Sequence, residues 1–193
     1  MSIFRRLSRW LGAHEGMTHI VAGNPAPNFS LRSLEGKDFS LAASLKSGPV
    51  VLAFFKVSCP VCKFTFPFLE RLYQRYRTER VSGSVLTNPE MENVTFLAVS
   101  QDSPAAAAEF AKDFGISFPI LTDDPGYSVS NAYGITMVPT VFLIEPDGTT
   151  RVSSMGFVKQ DLETIADSVA DRRNLTRIPV FLASESGPAA KPG

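Results

Sequence analysis

The sequence has no excess of charge of either sign, almost no cysteine and no long apolar run. Its 19 Lys and Arg are balanced by 19 Asp and Glu. That balance argues against a basic nucleic-acid binder, which needs surplus positive charge to neutralise phosphates. With 44% hydrophobic and 20% charged residues it also excludes a disordered chain, whose signature is low apolar content and large net charge. Two cysteines are too few for a disulfide-stapled secreted scaffold. No stretch approaches the roughly 18 apolar residues of a membrane-spanning helix. The first 17 residues carry no apolar run of the kind a secretory signal needs, so the expected location is cytoplasmic.

Three segments are expected. Residues 1–21 form an arm in which Ile3, Phe4, Leu7, Trp10 and Leu11 share one helical face, with Arg5, Arg6 and Arg9 on the other. Such a face packs on a domain or partner, or makes weak contact with an anionic membrane surface. Residues 22–173 form the main domain. Residues 174–193 are an extension holding a short apolar piece, Ile178–Leu182, and a Pro/Gly-rich end, Ser184–Gly193, expected to be disordered.

Within the main domain, Phe29–Leu31 and Asp38–Leu41 flank a turn at Glu35-Gly36-Lys37. The run Pro49–Val57 is apolar throughout and rich in β-branched and aromatic residues, as befits a strand covered on both faces. A helix follows over Lys63–Arg77, then an extended loop over Glu79–Glu92, then a second buried strand at Val94–Val99. Ser103-Pro104 opens a helix that stops at Gly115. Phe118–Leu121 is extended, Tyr127–Tyr133 is a short helix, and Thr140–Ile144 and Thr150–Met155 form a hairpin around Asp147-Gly148. Lys159–Arg173 closes the domain as an amphipathic helix. Alternating strands and helices ending in a hairpin predict an α/β fold with a mixed central sheet and helices on both faces.

Cys59-Pro60-Val61-Cys62 stands where the first buried strand gives way to a helix. Free backbone N–H groups and the positive end of the helix dipole meet there, and both favour a thiolate on Cys59. Pro60 suits the first helical turn. Cys62, one turn on, is placed to attack a mixed disulfide formed on Cys59. Lys56 lies three residues upstream, where a lysine is ordinarily solvated. Two other readings stand beside this one. His14 and His19 could complete a zinc site with the cysteines, although they lie on the arm and in an unusual order. The pair could also be inert core cysteines.

With the pair, its strand and the downstream Val138-Pro139-Thr140, the chain resembles the thioredoxin superfamily, in its AhpC/TSA–redoxin branch. The matching stretches are Pro25–Leu31, Pro49–Phe55 ahead of the cysteines, Pro67 after them, Gly134–Ile144 and Asp147-Gly148. The resemblance implies a thioredoxin-like fold and a thiol-disulfide oxidoreductase with Cys59 and Cys62 as the catalytic pair. It implies a cis Val138–Pro139 bond facing them, the Val138 backbone docking the substrate. Pro60, Val61, Lys56, Thr65 and Pro67 would support the site, Pro67 by kinking the helix. No metal and no cofactor beyond the Cys59–Cys62 disulfide is implied. The partners would be a protein or small-molecule disulfide and an electron-donor thiol protein.

The chain departs from the family at three positions. Ser58 replaces the Trp often found before the first cysteine, Ala53 replaces a buried acid, and Thr65 stands where related reductases carry Glu. The proton acceptor for Cys62 is therefore open, with bulk water or Thr65 through a water as routes. A peroxiredoxin-like peroxidase is the alternative enzyme, but the Pro and Thr that precede a peroxidatic cysteine are absent: Leu52 and Lys56 precede Cys59, and Phe55 and Cys59 precede Cys62. A copper chaperone would add a distal His, and none follows His19. A redox-silent interaction domain is the remaining reading.

Overall fold

The computed structural model describes residues 18–78, 94–172, 176–177, 179–185 and 187–193. The arm residues 1–17, the loop expected at 79–92, and Ile178 lie outside the described residues. The chain begins with a hairpin of β1 (Ser30–Arg32) and β2 (Asp38–Ser40), joined through Gly36 at φ 78. Leu41, expected to end the second β piece, instead opens α1 (Leu41–Leu45). Local capping decides this: Ser40 Oγ accepts from Ala43 N–H at 3.2 Å, and Asn28 Oδ1 accepts from Ala42 N–H at 2.9 Å.

Next come β3 (Val50–Phe55), α2 (Pro60–Thr78), β4 (Thr95–Ser100) and α3 (Pro104–Phe114). The bounds of α3 follow its signals: Ser103 caps it, Pro104 leads it, and Gly115 ends it in the left-handed region at φ 63. Then follow β5 (Ile120–Thr122) and α4 (Ser128–Ala132). The latter is capped by Asp123, whose carboxylate accepts from Val129 N–H at 3.1 Å and Ser130 N–H at 2.7 Å. The chain continues through β6 (Thr140–Ile144), β7 (Thr150–Met155), β8 (Phe157–Val158), α5 (Lys159–Arg172) and β9 (Ala190–Lys191).

Five strands form the central sheet in the order β5-β4-β3-β6-β7. β3, β4 and β5 run parallel, while β6 and β7 are antiparallel to their neighbours. Every residue of β3 is buried, and the strand's two-residue period sends alternate side chains to opposite cores. Val51, Ala53 and Phe55 face α2, α3 and α5, where Phe66, Leu69, Phe110, Leu162 and Ile165 meet them. Val50, Leu52 and Phe54 face α1 and α4, with Leu41, Val129 and Tyr133. Helices thus cover both faces of a mixed sheet in a thioredoxin-like fold.

The end of the chain departs from its expected disorder. Val180 and Phe181 are buried, with Phe181 against Phe68 at 4.7 Å and Phe157 at 5.7 Å between ring centroids. Glu163 of α5 accepts the N–H groups of Val180 and Phe181, and Arg71 of α2 binds Glu185 through two hydrogen bonds of 2.8 and 2.7 Å. Beyond this anchor β9 pairs antiparallel with β8. Composition misleads here because the partners that hold the segment, Phe68, Arg71, Phe157 and Glu163, are distant in sequence.

Candidate active site at the strand-to-helix junction

The Cys59–Cys62 pair is set by the junction of β3 and α2. Cys59 N–H donates to Lys56 O at 3.2 Å, and Lys63 N–H donates back to Cys59 O at 3.2 Å, so Cys59 sits at the cap of α2. Pro60 takes the first helical position, where its missing N–H loses nothing. The capping geometry aims Cys62 N–H at Cys59 Sγ, 3.2 Å away. Both cysteines are free thiols; Cys59 is half-buried and Cys62 is 0% exposed.

Behind Cys62 the sheet is apolar. Ala53, where the family often holds an acid, pairs in register with Ala98 on one side and Val141 on the other. All three are buried in the core that contains Cys62. Burial therefore pushes the Cys62 thiol well above the ordinary thiol range, and the Cys59 side chain adds to the effect. Cys62 is held as a neutral thiol.

The loop between α4 and β6 supplies the opposite wall. The Val138–Pro139 peptide is cis, and Cys59 Sγ–H donates to Val138 O at 3.2 Å. Thr140 Oγ1 donates to Met137 O at 2.7 Å and Gly156 N–H to Pro139 O at 2.7 Å, fixing the loop from both sides. A shallow pocket of about 170 Å³ opens beside Val138, lined by Lys56, Gln101, Ile135, Thr136 and Met137.

The supporting residues divide. Lys56 is exposed and its Nζ lies 6.0 Å from the Tyr127 ring centroid, the solvated position expected of it. Val61 is half-buried and its carbonyl accepts from Thr65 Oγ1 at 2.7 Å. Thr65 is fully buried and its proton is thus engaged with the helix, leaving only its lone pairs to receive one. α2 continues past Pro67 as one helical element, and Pro67, having no N–H, cannot donate to Lys63 O four residues back. His19 lies on the other face of the sheet: its Nε2 bonds Ser153 Oγ at 2.8 Å and its ring packs on Phe142 at 5.8 Å. That removes it from a zinc set with the cysteines; His14 is outside the described residues. Among the described residues no cluster of three or more His, Cys, Asp or Glu is placed to hold a metal, and no helix is long and apolar enough to cross a membrane.

One residue escapes the sequence reading. Asp102, just after β4, accepts from Val57 N–H at 2.8 Å and so ties the loop ahead of the cysteines to the neighbouring strand. Its negative charge also adds to the upward push on Cys62. Beside Ser103-Pro104 an aspartate reads as ordinary helix-start punctuation, and only the β3–β4 register carries it to the cysteines.

The sequence profile described as the AhpC/TSA family matches residues 22–153. The thiol-disulfide oxidoreductase ResA of Geobacillus thermodenitrificans is 32% identical over 154 residues, which cover 79% of this chain and 80% of the relative. ResA of Halalkalibacterium halodurans is 32% identical over 150 residues, 77% of each chain. Among solved structures, the thioredoxin domain of a thiol-disulfide oxidoreductase from Bacteroides vulgatus superposes with a TM-score of 0.63 at 20% identity, covering 78% of this chain and 99% of that one. The peroxidoxin BcpB of Mycobacterium tuberculosis gives 0.59 at 20% identity, covering 81% and 97%. These two structures establish the fold alone, since one scaffold carries both chemistries. With a family profile over most of the chain and relatives at this identity, the cis-proline loop facing a cysteine pair has one reading: the protein belongs to the AhpC/TSA family, on the thioredoxin-like fold.

Proposed function

We infer that this protein is a thiol-disulfide oxidoreductase whose working parts are Cys59, Cys62 and the Val138–Pro139 loop. One observation carries the reading: Cys59 Sγ lies 3.2 Å from both the Cys62 N–H nitrogen and Val138 O, at the mouth of a groove walled by a cis proline. The Cys59 thiolate attacks one sulfur of a substrate disulfide and releases the other as a thiolate. The Cys62 thiolate then attacks Cys59 Sγ, expelling the second substrate thiolate and closing the Cys59–Cys62 disulfide. Two electrons pass to the substrate, whose thiolates take up the two protons lost by the enzyme. A donor dithiol reverses the sequence and restores the pair.

The order of attack follows from burial. Cys59 is reachable and has an N–H directed at its sulfur; Cys62 is sealed and neutral until the mixed disulfide forms. The electrons travel through this pair, so the reading calls for no metal or organic cofactor. Disulfides of proteins are the substrate class and a thiol protein the electron donor. A cytoplasmic setting would keep the pair reduced and make the protein a donor of electrons.

In a Cys62→Ser variant, mixed disulfides with substrates should accumulate on Cys59 and be released by dithiothreitol. A variant that traps nothing, in a protein whose two cysteines also fail to form a disulfide against a defined dithiol couple, overturns the reading. Rapid peroxide consumption lost with a single cysteine would point to the peroxidase instead.

A further inference from the structure

The segment after the Arg71–Glu185 anchor does not leave the molecule. It returns to the active site. Lys159 N–H donates to Ala189 O at 2.9 Å, Ala190 and Lys191 pair with Val158 and Phe157, and Lys191 Nζ lies 4.4 Å from the Phe64 ring centroid. Gly156 lets the backbones touch: at its φ of +75 a Cβ would stand 2.3 Å from Lys191 O. The run ends against the cis-proline loop. A Cβ on Gly193 would lie 2.2 Å from Val138 O and 2.6 Å from Met137 Cγ. Val138 O is the same atom to which Cys59 Sγ donates.

We propose that residues 189–193 are an intrinsic occupant of the groove in which substrate polypeptides dock, so that a substrate binds by displacing them. The proposal rests on the oxidoreductase reading, because it takes Val138 as the docking position. Three features support displacement over permanent closure. The firm attachment lies upstream, at Val180, Phe181 and Glu185, whose cited contacts involve none of residues 189–193. The returning segment is exposed at every position except Lys191, which is half-buried. Its ladder is two residues long, too short to be stable alone. Next to it a cavity of about 330 Å³, lined by Phe64, Phe68, Phe157 and Phe181 together with Gly187 and Pro188, offers apolar surface to an incoming chain.

An extended polypeptide is the ligand this groove fits. The present occupant binds by strand addition on β8 and contributes a single long side chain, Lys191, to an aromatic ring. A substrate strand can repeat the main-chain part whatever its sequence. A small disulfide needs neither the β8 edge nor the aromatic wall, so it should reach Cys59 with the segment in place. The segment therefore discriminates by size: it taxes the docking of polypeptides and leaves small disulfides alone.

Gly193→Val tests this in the full chain, since its Cβ cannot occupy the position against Val138 O. Expected is a fall of about threefold or more in KM for reduction of a folded protein disulfide such as insulin. The rate with oxidised glutathione and the midpoint potential of Cys59–Cys62 should stay the same. An unchanged or raised KM for insulin overturns the proposal. A second measurement needs no groove variant. In Cys62→Ser, trapping a disulfide-bearing peptide on Cys59 should abolish hydrogen-exchange protection of the Lys191 and Lys159 amides. Protection that persists in the trapped complex shows that segment and substrate coexist, and overturns displacement. Failure of the oxidoreductase reading looks different, because no trapped complex would form and neither disulfide would be reduced.

Discussion

At the residue scale, Cys62 joins catalysis to stability. Its thiol is raised by burial first and by Cys59 second, so the folded protein keeps this proton at pH values where an unfolded chain has lost it. The sign follows by linkage: the contribution of the protonated thiol is complete below the ordinary thiol value, about 8.5, and is lost as pH rises above it. Reduced protein should lose stability between about pH 8.5 and 10, with a slope of at most about 1.4 kcal/mol per pH unit. Oxidised protein and Cys62→Ala should lack that slope in chemical denaturation, and a shared slope would place its origin elsewhere. Asp102 offers a finer test. Asp102→Asn keeps an acceptor for Val57 N–H but removes the charge, so Cys62 should titrate lower. Alkylation of Cys62 against pH in a Cys59→Ala background reads this directly; an unmoved profile would make Asp102 only a tether. The cysteine pair was legible in the sequence because its spacing and its place after an apolar run are local. Asp102 was not, because its partner Val57 is 45 residues away and register alone brings them together.

At the scale of elements, legibility again follows locality. α3 carries its own start and stop in Ser103, Pro104 and Gly115, and its observed bounds match. α1 was missed because its cap, Ser40, ends a strand and its second anchor, Asn28, comes from before the hairpin. β8 and β9 were illegible for a different reason. Each is only two residues long, and their pairing exists because Arg71 and Glu163 bring the chain back across α2 and α5. The Arg71 guanidinium holds the Glu185 carboxyl down at about 2, so this anchor persists at neutral pH and fails only in strong acid. Phe181 is the apolar half of the same anchor. Phe181→Ala should destabilise the protein by about 3 kcal/mol and raise hydrogen exchange at Val180 and Phe181. A cost under about 1 kcal/mol in denaturant unfolding would show that the extension rides on the domain without bracing it.

Across the whole molecule, the sheet divides labour between its faces. One face is filled by Phe54, Tyr133 and Phe142 under α1 and α4, and Tyr133 donates to Pro27 O at 2.9 Å to draw in the start of the domain. The other face carries Cys62, the aromatic cluster and the returning segment. β3 hid this division from the sequence, since a strand buried on both sides shows no alternation to read. The class of fold was nonetheless plain from the order of buried runs and helices. What order could not supply is which side the end of the chain would take, and that choice places it on the catalytic face.

Val138 O accepts the Cys59 thiol proton, with Sγ 3.2 Å away. The proton that leaves when Cys59 becomes a nucleophile is therefore also the latch on the docking loop. Activation of the sulfur and release of the acceptor for an incoming N–H are a single event, and the groove senses the charge on the atom it serves. Cys59→Ala removes this latch, whereas Cys59→Ser keeps a hydroxyl proton in its place. A peptide that binds without reacting should bind more tightly to the alanine variant than to the serine variant. Equal affinities by calorimetry would show that sulfur and loop act independently.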